Sequence, residues 1–303
     1  MSKVVFWSPL HGRFQTSNLH ITGLIMSLLY KKKVLMMQTQ FSMNNLEAPL
    51  VGKKGDIFSK EDNGIFREIG LDAAVMYSRM NMLIGETLER CCMTFPNTSL
   101  LLLPGTETSN LETFNRDICS SVISMIGQAE EYVDLVMIDT NSGDDELSLD
   151  LMSSADLLVI NLTQDRYVMN KLFLEHGEWL VACKRVFYLF GNYDKDSAYN
   201  IINCRRKYGK FFNKDNCGII PHSSKYMDAY NDYNILRMVR EGLYNYKMGM
   251  SQGKIKLKKY SIEQTDYFFH QASLSVHKML KILDMANSRT MIERSGSVDH
   301  EYI

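Results

Sequence analysis

Short runs of apolar residues recur along the chain, and most of them are separated by stretches long enough to form a helix. Six runs have the length and continuous hydrophobicity of strands that are buried on both faces of a parallel sheet, and Gly218–Ile220 is a weaker seventh. The six are Val4–Trp7, Val34–Met37, Leu100–Leu103, Leu135–Ile138, Leu157–Asn161 and Val186–Phe190. Strands that alternate with helices favour βαβ units with right-handed crossovers. The pattern therefore predicts a three-layer α/β fold, with a mostly parallel twisted sheet of about seven strands flanked by helices.

Helical periodicity and the absence of linkers predict the domain organisation. Residues Ser17–Tyr30 carry a wide apolar face and should form the first crossover helix. Ser261–Met285 has the pattern of a long amphipathic C-terminal helix. No Pro/Gly/Ser-rich linker and no internal repeat divides the sequence. We therefore expect residues 1–285 to form a single domain and the polar residues 286–303 to form a flexible tail.

Composition and charge exclude several classes of protein. The net charge is −1 over 303 residues, so the overall balance does not predict a nucleic-acid partner. The six cysteines form no C-x-x-C motif and show no zinc-ligand spacing, which favours reduced thiols in a cytosol. No apolar run approaches the roughly 20 residues of a membrane span, and the first residues have the pattern of a strand rather than a signal peptide. We expect a cytoplasmic protein whose membrane contact is at most peripheral.

The first predicted strand is followed by a glycine-containing loop and a helix, which is the arrangement of a phosphate-binding loop. The segment Leu10–Ser17 resembles the loop K-G-G-x-G-K-[ST]-[ST] of the ParA/MinD-like ATPases, the SIMIBI-class P-loop proteins with a deviant Walker A motif. Leu10 and Gln15 stand at its two lysine positions. His11 and Phe14 replace two of its glycines. The resemblance implies a degenerate P-loop whose remnant nucleotide-binding residues are Gly12, Arg13, Gln15, Thr16 and Ser17.

Two later segments resemble the switch regions of the same family, in the same order along the chain. Gln38 and Gln40 occupy the two aspartate positions of its second strand and switch I, and Gln40 falls where the family orients the attacking water. Glutamine can hydrogen-bond water but is a poor base. Tyr132–Gly143 resembles the switch II strand, which implies that Asp139 lies on the Mg²⁺ side and that Gly143 is the switch glycine.

Further segments extend the resemblance to about residue 232. Phe187–Asp194 resembles the strand end that binds the nucleotide base, which implies that Asn192 faces adenine and that Pro221 belongs to the stretch closing over the base. Trp7–Pro9 and Leu103–Thr106 resemble the TadZ/CpaE-like branch, whose bacterial members position a pilus or secretion apparatus at a cell pole.

Several of these residues have a purely structural interpretation that the sequence leaves open. Thr16 could act only as a helix N-cap, and Asp139 could cap the turn after its strand. Asn192 lies in a segment that also reads as a turn. Arg13 could replace the missing lysine, because a guanidinium binds phosphate well. His11 could contact phosphate or be an exposed loop residue without a role.

The functional hypothesis depends on the family's catalytic residues that this sequence lacks. Phosphoryl transfer depends on positioning and charge compensation, so losing two lysines and the switch I aspartate argues against efficient ATP hydrolysis. We expect a pseudo-ATPase scaffold that self-associates or binds components of a secretion or pilus assembly, with recruitment to a membrane or cell pole. ATP and Mg²⁺ could bind weakly, with Thr16 and Asp139 as the metal ligands. The alternatives are an active ATPase that uses Arg13 or an arginine of a partner in place of the lysine, and a DNA-partitioning protein that uses Lys254–Lys259.

Overall fold

The computed structural model describes residues 2–40, 46–51, 69–106, 112, 114–183, 185–251 and 264–284. Its strands are β1 Ser2–Trp7, β2 Val34–Gln38, β3 Met93–Thr94, β4 Leu100–Leu103, β5 Leu135–Asp139, β6 Leu157–Leu162, β7 Val186–Tyr193 and β8 Cys217–Pro221. Its helices are α1 Gln15–Leu28, α2 Ala48–Val51, α3 Leu71–Arg79, α4 Gly85–Cys91, α5 Ser120–Glu130, α6 Glu146–Ser153, α7 Arg166–Ala182, α8 Ile201–Lys207, α9 Ser224–Asn231, α10 Ile235–Ser251 and α11 Gln264–Ile282. A π-helical turn at Phe114–Cys119 leads into α5.

All seven predicted strands are confirmed, and they belong to one sheet with the order β3-β4-β2-β5-β1-β6-β7-β8. Every pairing is parallel except that of β3 with β4. The sequence analysis missed β3 because Met93–Thr94 is only two residues long and carries no alternating pattern. Within the described residues, the sheet therefore has eight strands instead of about seven.

Side chains alternate across the sheet and form two separate cores, which confirms the three-layer architecture. In β1, Val5 and Trp7 point into one core, whereas Val4 and Phe6 point into the other. The first core is covered by α3 to α8 and the second by α1, α2 and α9 to α11. Each central strand buries both faces, which explains why these strands read as continuous apolar runs.

The two predicted helices are also present. The first helix begins at Gln15 rather than Ser17, and the C-terminal helix spans Gln264–Ile282. The lysines of Lys254–Lys259 and the tail 286–303 lie outside the described residues. Among the helices described, none is long and apolar enough to cross a membrane.

Candidate functional site

The candidate site lies at the carboxyl ends of the central strands. β1 stands between β5 and β6, and the chain leaves it toward β2 on one side of the sheet and later toward β6 on the other. Ligands of open α/β sheets bind in the crevice at such a switch point. The loop 8–14 connects β1 to α1 at this place, so the topology brings the predicted site residues to one edge.

The loop backbone keeps a conformation that suits glycine at Phe14, one of the two positions where a glycine of the family motif has been replaced. Gly12 has φ +76°, and Phe14 has φ +59° and ψ +24°, the left-handed region. This conformation costs a residue with a Cβ about 1 kcal/mol or more. A Cβ on Gly191 of β7 would lie 2.6 Å from Phe14 Cβ and 2.9 Å from Asn18 Oδ1. The close approach of β7 to Phe14 and Asn18 therefore leaves no room for a side chain at position 191.

Gln15, at the lysine position, uses both of its N–H groups inside the protein. Its Nε2 donates to Asp139 Oδ1 at 2.7 Å and to the Thr140 carbonyl oxygen at 2.7 Å. An amide nitrogen has two hydrogens, so Gln15 has no donor left for a phosphate oxygen. Its Oε1 is buried and has no hydrogen-bond partner among the described residues. The side chain of Gln15 therefore joins the start of α1 to the end of β5.

Asp139 is a buried carboxylate held by two side chains of α1. Thr16 Oγ1 donates to Asp139 Oδ2 at 2.6 Å, opposite the Gln15 contact. Burial raises the pKa of Asp139 to about 6, and the hydrogen bonds from Thr16 and Gln15 oppose that rise. The N-cap interpretation of Thr16 is wrong, because α1 begins one residue earlier, at Gln15, and its N-cap position is Phe14. Thr16 instead joins α1 to β5.

Arg13, the only arginine or lysine in the loop segment, is engaged by residues that follow β6. Its Nη1 donates to Thr163 Oγ1 at 2.9 Å and to Asp165 Oδ2 at 3.0 Å. Asp165 also caps α7, since its Oδ1 accepts from the backbone N–H groups of Tyr167 and Val168. Arg13 is thus oriented by a carboxylate that has its own structural role. His11, in contrast, is exposed.

The residues at the switch positions contact the same strand ends. Gln40 Nε2 donates to the Thr140 carbonyl oxygen at 3.2 Å, so Gln40 and Gln15 share this acceptor. Gly143 has φ +87°, and its carbonyl oxygen accepts from Trp7 Nε1 at 2.7 Å. Its backbone N–H donates to the Ser8 carbonyl oxygen at 3.1 Å. Both the carbonyl oxygen and the N–H group of Gly143 are therefore hydrogen-bonded to residues at the end of β1.

The predicted base-binding residues lie at the ends of β7 and β8. Asn192 is exposed, has φ +50°, and its Oδ1 lies 2.7 Å from His222 Nδ1. Pro221 is buried at the end of β8, where it pairs with Tyr193. Ser17 is half-buried in the first turn of α1. The structure brings Gln15, Thr16, Gln40 and Asp139 into one network, whereas Asn192 belongs to a separate contact.

A buried amide pair beneath the loop was not predicted. Asn18 Nδ2 donates to Asn161 Oδ1 at 2.9 Å, and Asn161 Nδ2 donates to the Trp7 carbonyl oxygen at 3.1 Å. Asn18 Oδ1 is buried without a hydrogen-bond partner in the described part of the chain. The signal available in the sequence was the single amide in the apolar run of β6, because a buried amide needs partners.

The residues present fit a magnesium ion better than they fit nucleotide phosphates. A carboxylate and a hydroxyl oxygen are hard ligands, and Mg²⁺ binds one or two such groups together with waters and phosphates. Asp139 and Thr16 offer this pair. In the described residues no group of three or more His, Cys, Asp or Glu side chains could hold a metal. The loop segment has no lysine, and both side-chain donors of Gln15 are already used by Asp139 and Thr140.

No protein-family model and no curated protein matches the sequence, but solved structures do. A ParA family ATPase from Chlorobium tepidum TLS is 14% identical, with a TM-score of 0.62 over 90% of this chain and 98% of that one. The septum site-determining protein MinD from Pyrococcus horikoshii OT3, complexed with Mg-ADP, is 13% identical, with a TM-score of 0.59 over 93% and 98%. A chain of the MinC:MinD cell division complex from Aquifex aeolicus is 12% identical, with a TM-score of 0.54 over 90% and 95%.

These similarities establish the fold of the chain. It is an α/β protein with the ParA/MinD-like P-loop ATPase fold, as the order of the sequence motifs implied. Identities of 12 to 14% do not carry an activity from one protein to another, because one fold hosts many functions.

Proposed function

We propose that the protein is a pseudo-ATPase that acts as a scaffold or regulator. The observation that carries this proposal is Gln15, whose two N–H donors are both used by Asp139 and Thr140. The residue at the lysine position therefore holds the switch II strand instead of offering a cation to ATP.

The catalytic losses reinforce one another. Leu10 and Gln15 supply no positive charge, and Gln40 is neutral where a base would orient water. Removing one electrostatic catalytic group commonly costs a factor of roughly 10² or more in rate. The charge of Arg13 is offset by Asp165, because its Nη1 contacts Asp165 and Thr163. An active ATPase would have to contact the phosphates through the remaining N–H groups of Arg13, of which Nε has no partner among the described residues.

Nucleotide binding, if it persists, would use Thr16 and Asp139 for Mg²⁺, and Asn192 and Pro221 on the base side. Magnesium would neutralise charge on the phosphates, whereas the protein would only position the ion. We expect the dissociation constant for Mg-ATP to be millimolar or weaker, because the loop lacks a charge-assisted contact to the phosphates.

Calorimetric titration with ATP, with and without Mg²⁺, tests this proposal. Gln15→Lys should tighten ATP binding roughly tenfold or more, because it supplies a charged donor at the phosphates. Gln271→Lys on α11 is the matched control that adds the same charge outside the loop, and it should leave binding unchanged. Micromolar binding of ATP by the wild type that Thr16→Ala weakens would contradict the proposal that this site binds ATP poorly.

The scaffold role extends this proposal to protein partners. The MinD neighbour from Aquifex aeolicus is found in a complex with MinC, which supports protein binding by this fold. The segments that resemble the TadZ/CpaE branch, Trp7–Pro9 and Leu103–Thr106, support a role in placing a membrane-associated pilus or secretion assembly. A fluorescent fusion in the native host should form a focus at a pole or at the membrane. Uniform cytoplasmic fluorescence would contradict that placement.

A further inference from the structure

Helix α7 carries an apolar stripe on the side that faces away from the core. Leu174 is 86% exposed, Tyr167 is 70% exposed and Val181 is 51% exposed. The three residues are seven positions apart, so they lie on one side of the helix, two turns from one another. The opposite side is buried against the sheet through Val168, Met169, Leu172 and Leu180. Large apolar side chains this exposed in a regular row indicate an interaction surface.

We propose that α7 pairs with α7 of a second copy of this chain, antiparallel and across a twofold axis at Leu174. The proposal does not depend on nucleotide. It commits to a second copy because the stripe is self-complementary: Tyr167 lies seven residues before Leu174 and Val181 lies seven residues after it. A twofold axis at Leu174 therefore places Tyr167 against the partner's Val181, and each Leu174 against its equivalent.

The charges beside the stripe agree with this arrangement. Lys171 and Glu178 flank Leu174 on the same side of α7, three residues before it and four after it. With a rise of about 1.5 Å per residue, the twofold axis places Lys171 and the partner's Glu178 at heights that differ by only about 1.5 Å along the helix axis, so the two side chains face one another. Lys171 Nζ lies 3.8 Å from Glu175 Oε1 of its own helix. The lysine would thus be held between two carboxylates, and the pair occurs twice in the dimer.

The size of the surface sets the strength of association. A standard interface buries about 800 Å² on each partner, and three side chains and their neighbours along one helix cover only a part of that area. We therefore expect a reversible dimer in the micromolar range. Leu174 lies at its centre, where truncation or charge has the largest effect on affinity.

Sedimentation velocity of the full chain over a range of micromolar concentrations, without nucleotide, provides the first test. Leu174→Glu puts two carboxylates together at the axis and should raise the dimer dissociation constant about 30-fold or more. Tyr244→Glu on α10 is the matched control, because Tyr244 is also exposed but lies outside the stripe, and it should leave the constant unchanged. A wild-type chain that stays monomeric at about 100 µM would overturn the proposal.

Charge reversal tests the antiparallel geometry separately. Lys171→Glu and Glu178→Lys should each weaken the dimer about tenfold, and the double variant should restore it because the pairs are reversed together. Leu174→Cys should form a disulfide between two copies under mild oxidation at a rate well above that of the wild-type chain. Failure of the double variant to restore association, or absence of the cross-link, would show that α7 does not pair in this way.

Discussion

Replacing Asp139 by asparagine should stabilise the protein at neutral pH. The carboxylate is buried, and the side chains that contact it, Gln15 and Thr16, are neutral. Asparagine can accept from Gln15 through its oxygen and donate to Thr16 Oγ1 through its nitrogen. The substitution therefore keeps the hydrogen-bonded network and removes the cost of burying a charge.

The magnitude follows from the pKa of Asp139. Burial raises that pKa from its ordinary value of 3.8 to about 6, and 1.36 kcal/mol accompanies each tenfold change in proton affinity. The native state thus loses up to about 3 kcal/mol of stability when the group ionises. A raised carboxyl pKa means that the native state binds more protons than the unfolded state between pH 3.8 and 6. The loss is absent below pH 3.8, grows through that window and is complete above pH 6.

Urea denaturation of the wild type and of Asp139→Asn, at pH values from 4 to 8 in buffer with EDTA, measures the effect. The variant should exceed the wild type by up to about 3 kcal/mol above pH 6 and by little near pH 4. Asp150→Asn, on the exposed side of α6, is the control and should change stability by no more than about 0.5 kcal/mol. A less stable Asp139→Asn variant at pH 7.5, or a difference that does not depend on pH, would refute the reasoning.

Two other substitutions give further predictions. Gly191→Ala should destabilise the protein by about 1–3 kcal/mol in urea denaturation, because its Cβ would lie 2.6 Å from Phe14 Cβ. Gly127→Ala on α5 is the control: its Cβ would lie in open space, and the substitution should be neutral or stabilising. Equal effects of the two substitutions would contradict the close contact at Gly191. Burial lowers the pKa of His20 from 6.5 to about 4, so the wild type should lose about 3 kcal/mol of stability as the pH falls from 6.5 to 4. His20→Gln can still donate to the Leu46 carbonyl oxygen and should not show this loss. Parallel pH profiles of wild type and variant would contradict that assignment.

The sequence predicted the sheet well because buried parallel strands leave a continuous apolar signal. Val34–Met37 and Leu100–Leu103 needed no partner to be recognised, and the structure extends the first of them by one residue. The edge strand Met93–Thr94 could not be found in this way, because only its antiparallel pairing with β4 defines it. Strand pairing depends on two segments of the chain, whereas a hydrophobic pattern is read from a single segment.

The sequence could predict which residues belong to the candidate site, but it could not predict the hydrogen bonds between them. The motif register identified Gln15, Thr16 and Asp139, which the structure joins in one network. No pattern in the sequence indicated that Gln15 would use both side-chain donors internally, since this depends on the distance between β5 and α1. It also could not show that Asp165, from the loop after β6, would hold Arg13. Contacts between segments more than 100 residues apart arise only from the packed fold.

The most direct test of the pseudo-ATPase account is the rate of Mg²⁺-dependent phosphate release from ATP by the purified wild type and by Asp139→Ala. The account predicts that the two rates are indistinguishable, because the wild-type site has no free cation at the lysine position and no base at Gln40 to accelerate hydrolysis. Turnover by the wild type that Asp139→Ala abolishes would contradict the account and would show that the site catalyses the reaction with other groups.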